Sequence, residues 1–257
     1  MRRSRHPGRR RPLFRGSMKK PASTRACLLA FAAVLAAHGA MAQDHAVPSF
    51  AKVDSMEARV QGCVTCHGQS GQGTSSGYYP RIAGKPATYL YNQLVAFRDG
   101  TRSYPPMNYL VAYLPDAYLR EMAEHYAKLR PPLTPRAQPS VVAAVMERGK
   151  MLVNAGDPAK TIPPCAACHG KGLTGMEPGI PGLVGLRQAY IVGQLTSWRV
   201  GQRSAAEPDC MKRIATRLSD ADITAVAAFL AAQELPSDPA PESSNLVRMP
   251  FACGSQR

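Results

Sequence analysis

Residues 163–172 read PPCAACHGKG, with Cys165 and Cys168 in a CxxC spacing and His169 directly after the second cysteine. The same arrangement occurs at residues 62–70 as GCVTCHGQS, where Cys63, Cys66 and His67 take the equivalent places. Whatever chemistry this spacing serves, the chain performs it twice.

Working outward from the two sites exposes a longer repeat. PRIAGKPATYLYNQLVAFRDGTR from Pro80 aligns without a gap to PGLVGLRQAYIVGQLTSWRVGQR from Pro181, pairing Tyr89 with Tyr190, Gln93 with Gln194, Arg98 with Arg199 and Arg102 with Arg203. MNYLVAYLPDAYLREMAEHYA from Met107 then aligns to MKRIATRLSDADITAVAAFLA from Met211. Between the copies lies RPPLTPRAQP (130–139), whose four prolines resist helix and favour extended backbone. This organisation predicts a first domain over 43–132, a linker over 133–140, a second domain over 141–236, and a tail over 237–257 without counterpart in the first copy.

Both copies read as helices joined by loops. Val53, Met56, Val60 and Val64 recur at helical spacing into the first site, and Val142, Val145 and Leu152 do so before the second. Tyr190, Ile191, Leu195 and Trp198 form a central stripe. Ser219 followed three residues later by Asp222 marks the start of a last helix carrying Ile223, Val226, Ala227 and Leu230. No β pattern stands out, so the expected fold is all-α, two small domains in tandem.

The formal charge of +15 first suggests nucleic acid or an anionic membrane as partner. Residues 1–42, however, hold ten Lys or Arg and no Asp or Glu, leaving 22 basic against 17 acidic side chains in the remainder. That N-terminus combines a positive run, an apolar stretch from Cys27 to Ala37 and a small-residue ending at Ala42, the three parts of a secretory signal. A start at Met18 gives it ordinary proportions. The apolar run is shorter than the ~20 residues of a membrane span, and RRRPLF is a weaker match to a twin-arginine signal. Export to the periplasm is therefore expected, with no span after cleavage and no nucleic-acid partner. Six cysteines then remain in an oxidising compartment, where idle thiols tend to pair.

Two thiols at this spacing can add to the two vinyl groups of one haem, with the following histidine held beneath the iron as its fifth ligand. A macrocycle so attached also enlarges the core of a small domain. The competing uses fit less well. A zinc site would bring both CxxC pairs together across the domain boundary, and a thiol redox motif wants a βαβ setting. For the sixth position, Met107 and Met211 lie 40 and 42 residues after His67 and His169, each expected in the loop before the last helix. Met122 and Met176 are rivals, but Met122 aligns with Val226 inside a helix and Met176 has no partner in the first copy. His45 and His125 read as a terminal and a helix-surface residue.

CVTCHG and CAACHG, the P-x-x-x-G element before Y-x-x-x-Q-L-x-x-[FW]-R-x-G, and the M-x-x-[IL]-A-x-x-L-S-D ending of the second copy together resemble the di-haem class I cytochromes c of the cytochrome c4 group, over about residues 50–235. The resemblance implies two class I cytochrome c folds, two covalent haems, and soluble periplasmic electron transfer, commonly towards terminal oxidases. It also implies that the carbonyls of Pro80 and Pro181 accept a hydrogen bond from Nδ1 of His67 and His169. The first copy departs from the family at MNYLVAYLPDAYL. In the second copy Cys210 stands beside Met211, where a free thiolate could compete for iron; pairing with Cys253 is the expectation, two unpaired cysteines the alternative.

Three functions follow as expectations. The leading one is a one-electron carrier, not an enzyme, docking transiently with a redox protein donor and acceptor, one of which could be a membrane-bound oxidase or dehydrogenase. A dedicated electron-accepting subunit of a periplasmic dehydrogenase is the second. A di-haem peroxidase is the third, and the two equivalent methionines argue against the open iron it would need.

Overall fold

The computed structural model describes residues 52–74, 78–134, 138–243 and 249–256. The described residues all belong to one compact unit, Phe50–Arg257. The expected signal segment and His45 lie outside the described residues.

The first copy forms α1 (Met56–Arg59), α2 (Gln61–His67), α3 (Ala87–Arg98), α4 (Pro105–Val111) and α5 (Asp116–Lys128). The second forms α6 (Ala143–Asn154), α7 (Ala166–His169), α8 (Gln188–Arg199), α9 (Cys210–Ala215) and α10 (Asp220–Ala231). Two refinements concern the helix expected over the Val53 stripe. It is interrupted at Val60, which is buried, and Val53 lies outside it, 88% exposed. Met107 and Met211, expected in loops, sit on the short helices α4 and α9. Pro105 and Pro106 favour the first turn of α4, and Asp209 caps α9 by accepting from the Lys212 N–H at 2.9 Å.

The all-α expectation holds but for one small hairpin, β1 (Gly175–Met176) and β2 (Ile180–Pro181). Two-residue strands leave no periodicity to read. The third segment in this arrangement is Glu242 of the tail, bridged in parallel to Met176, and such a long-range pairing has no local sequence signal.

The duplication is physical as well as textual. Arg98 bonds the Leu114 carbonyl and Asp116, while Arg199 bonds the Leu218 carbonyl and Asp220, so each copy ties its central helix to the start of its last helix. α3 packs on α5 and α8 on α10. Where α6 crosses α10, Gly149 lets the backbones meet: a Cβ there would lie 2.2 Å from the Ala225 carbonyl oxygen. The two copies join through Ser103 N–H to Gln202 O (2.9 Å) and Ser204 N–H to Thr101 O (2.8 Å), around a bridge of Arg102 and Arg203.

Asp222 ties the second copy together. Its carboxylate accepts from the Ser219 N–H, completing the capping box read from the sequence, and also from Arg148 (2.8 Å) and Lys160 (2.7 Å). Burial opposes ionisation here, but Lys160, Arg148 and Ser219 outweigh it and hold the carboxyl well below the usual range. Asp222→Ala should therefore cost about 1–3 kcal/mol at neutral pH, because the cap of α10 is lost and two part-exposed cations lose a partner, Arg148 keeping Asp157. For a depressed acid the contribution is complete above the unfolded value of about 3.9 and is lost as pH falls through the folded one. Urea titrations of wild type and variant should show the gap at pH 7 and its narrowing below about pH 4. An equal gap at both pH values would refute the electrostatic account.

Candidate haem sites

Each histidine of the CxxCH pair ends a helix, α2 at His67 and α7 at His169, and each is followed by a glycine in the left-handed region, Gly68 (φ 81°) and Gly170 (φ 84°). That turn lets the chain leave the helix at once, which any other residue would resist. The His67 Nδ1 lies 2.9 Å from the Pro80 carbonyl oxygen, and the His169 Nδ1 lies 2.8 Å from that of Pro181. A carbonyl has no proton to give, so each Nδ1–H donates and Nε2 keeps its lone pair, the state a metal ligand needs. Burial disfavours the imidazolium further: it lowers His67 and brings His169 to about 4. Burial likewise raises the free thiols, Cys165 to about 12 and Cys168 to about 11.

In the second copy the predicted residues converge. Cys165, Cys168, His169 and Met211 line one cavity, closed by Leu186 and Trp198. Met176, the rival sulfur, is not on the cavity lining but is buried beside it, in a cluster with Ile180 and the Cys210–Cys253 disulfide against which Met211 also packs. In the first copy Cys63 packs with Val60, Leu90 and Tyr126, and Met107 packs with Phe97, Val111 and Leu119; Leu94 and Leu114 touch both groups. Met122 belongs to the Val60 core group, as its alignment to Val226 suggested. His125 sits half-buried on α5 against the Tyr126 ring. Among the described residues no three His, Cys, Asp or Glu side chains gather as a shared zinc would require.

A polar cluster between the copies carries no role in any of the sequence motifs. Arg102 donates to Gln93 (2.9 Å), Tyr190 (3.0 Å) and Gln194 (2.6 Å). Arg203 mirrors it, donating to Gln194 (2.6 Å), Tyr89 (3.3 Å) and Gln93 (2.7 Å). The signal was present, since every member except Lys85 is matched between the two copies. Lys85, donating to the Gly182 carbonyl at 2.9 Å, is lowered by burial to about 8. Burial, with Arg102 beside it, lowers Arg203 to about 10. Burial alone would raise Tyr89, yet Arg203, Arg102 and Lys85 bring it down to about 8. Among the described residues no Asp or Glu carboxylate bonds to these three cations.

Comparison with known proteins identifies the assembly. No family model matches the chain. It is 40% identical over 173 residues to a thiosulfate dehydrogenase electron acceptor of Thiomonas intermedia, covering 67% of this chain and 79% of that protein. It is 31% identical over 176 residues to the cytochrome c4 of Pseudomonas aeruginosa, covering 68% of this chain and 85% of that one.

The chain belongs to the cytochrome c4 family of di-haem class I cytochromes c.

The crystal structure of reduced recombinant cytochrome c4 from Pseudomonas stutzeri superposes with a TM-score of 0.60 at 25% identity, over 71% of this chain and 99% of that one. The protein therefore folds as two class I cytochrome c domains and carries two covalent c-type haems.

The residues present fit such a group. A c-type haem brings an apolar macrocycle and two propionate carboxylates. The cavity offers an apolar lining beside CxxCH, and next to it buried cations with no carboxylate of their own. The Trp198 Nε1–H, on the cavity wall, is buried without an acceptor. A buried donor of this kind calls for a partner that the polypeptide does not supply.

Proposed function

We propose that Cys63 and Cys66 hold one haem and Cys165 and Cys168 the other by thioether bonds, with His67 and Met107, and His169 and Met211, as axial ligands. The observation that carries this is the shared cavity of Cys165, Cys168, His169 and Met211, with the His169 lone pair kept free by Pro181. When bound, each haem supplies an iron that cycles between ferric and ferrous. The chain's own residues hold the ligands in place through that cycle: Pro80 and Pro181 orient the imidazoles, and the short helices α4 and α9 carry the thioethers. With an imidazole and a thioether from the protein available to each iron, the residues present would leave an exogenous substrate no open coordination site, which favours electron transfer over peroxidase chemistry.

The protein acts as a periplasmic one-electron carrier between a respiratory donor and a terminal oxidase or similar acceptor. The basic and apolar N-terminal segment supports export, and among the described residues no helix is long and apolar enough to cross a membrane. A second reading, a dedicated electron acceptor of a periplasmic dehydrogenase, is favoured by the 40% identity to a thiosulfate dehydrogenase electron acceptor.

Expression in a host with cytochrome c maturation tests the site. Two covalent haems by mass, and a thioether-to-ferric-iron band near the red edge of the spectrum, are expected. One haem, or a high-spin spectrum at both, would overturn the ligand assignment. Rapid reduction by a purified thiosulfate dehydrogenase, together with co-purification, would favour the subunit reading over the free carrier.

A further inference from the structure

The tail lies across the second site and is joined to both of its walls. On the histidine side, Glu242 pairs with the loop after His169: its N–H donates to Gly175 O (2.8 Å), its carbonyl accepts from Glu177 N–H (2.9 Å), and its carboxylate accepts from Gly172 N–H (3.0 Å). Gln256 Oε1 accepts from Gly179 N–H at 3.0 Å. The fit is close enough that a Cβ on Gly179 would lie 1.8 Å from the Ser255 carbonyl oxygen. On the methionine side, Cys253 is disulfide-bonded to Cys210 with Cα atoms 5.1 Å apart, and Gly254 N–H donates to Pro208 O at 3.0 Å. The Phe251 ring lies 4.4 Å beneath the Arg213 guanidinium, packs in the cluster that includes Met211, and lines the cavity itself. The equivalent helix of the first copy presents Tyr109, and the turn after it Tyr113, 80% and 95% exposed.

We propose that residues 249–256 form a clasp that positions Met211 and bars exogenous ligands from the second haem, while the methionine side of the first haem stays open. The inference rests on Met211 being the sixth ligand. For that sulfur to leave the iron, α9 must move away from the loop that holds His169. The clasp bonds α9 covalently to a segment that is itself hydrogen-bonded to that loop, so the movement strains two attachments at once. Phe251 packs against the same cluster as Met211 and lines the cavity beside it, and a packed interior yields only by discrete rearrangement. Cys253 and Phe251 are thus positioning residues acting through Met211. The first copy has no such attachment at Met107 among the described residues, which makes its haem an internal control.

The test follows imidazole binding to the fully ferric, haem-loaded protein by stopped-flow loss of the thioether–iron band. In wild type two phases are expected, the second haem reacting at least about tenfold more slowly than the first, as a barrier difference near one decade of rate implies. Met107→Ala assigns them, since it opens the first site outright and leaves only the slow phase. The double variant Cys210→Ser/Cys253→Ser, which leaves no thiol beside the iron, should speed the slow phase about tenfold and leave the fast one unchanged. Phe251→Ala, which keeps the disulfide, should give a smaller acceleration of the same phase and covers the case in which the double variant does not fold. Equal rates at the two haems of wild type, or a slow phase unmoved in the folded variants, would overturn the clasp while leaving the ligand assignment intact. A second haem with no thioether band in wild type would overturn both.

Discussion

Met211→Ala is expected to remove about half of the thioether–iron absorption and to lower one of the two haem potentials by on the order of 0.1–0.3 V, within the roughly 0.8 V range that axial ligation commands. A thioether sulfur favours ferrous iron, so its loss favours the ferric state and the potential falls. Met107→Ala should produce the same change at the other haem, and the double variant should abolish the band. The size of the effect follows from bond chemistry rather than packing, since alanine offers no donor. Met176 is the control: it is buried against Ile180 and the Cys210–Cys253 disulfide, behind residues that line the cavity rather than on the lining itself. Met176→Ala should lower stability by about 2–5 kcal/mol, as loss of a core methionine does, with both bands retained. Spectroelectrochemical titration of the three single variants distinguishes the cases. A band lost in Met176→Ala and kept in Met211→Ala would reverse the assignment.

Arg203→Ala should act on stability and potential together. The guanidinium is buried, lies 3.6 Å over the Trp198 ring, and donates to Gln194, Tyr89 and Gln93. Removing it leaves Gln93 and Gln194 bonded to Arg102 alone, takes its donor from the Tyr89 hydroxyl, and opens a space between the copies. In the haem-loaded protein it also leaves carboxylates with one fewer buried cation. Loss of its hydrogen bonds and of its stacking on Trp198, partly offset by relief of repulsion from Arg102, should cost about 1–3 kcal/mol, which chemical denaturation followed at the haem absorption would register. A positive charge near the iron stabilises the ferrous state, so its loss should lower the potential of the second haem as well. Arg203→Lys keeps the charge but loses the planar fork, so it should recover most of the potential and less of the stability. If Arg203→Ala leaves both potentials unchanged, the cluster is structural and plays no part in tuning the haems.

The two CxxCH sites, the repeat between them and the all-α architecture were legible because each is local or periodic. Cysteine and histidine chemistry depends on a spacing of a few residues, and helices announce themselves through apolar stripes and caps such as Ser219 and Asp222. The proline carbonyls facing His67 and His169 were also legible, through the resemblance to a family, and the structure places both at hydrogen-bond distance. The pairing of Cys210 with Cys253 was an expectation of another kind, resting on cysteines left over in an oxidising compartment at a point where the chain departs from the family, and the structure closes it.

What the chain by itself determined is therefore the chemistry of each half: which thiols, which imidazoles and which methionines are at hand, and that there are two sets. Only the tertiary structure decided how the halves differ and how they meet. Arg102 and Arg203 each look like a surface charge in one dimension, yet each is buried against glutamine and tyrosine side chains of the other half. Glu242, Phe251 and Gln256 look like a loose tail, yet they bridge two walls of a single site. The physical reason is the same in both cases. Such contacts join residues some 40 to 110 positions apart, and their energy comes from desolvation and complementary shape, neither of which exists until the chain has folded.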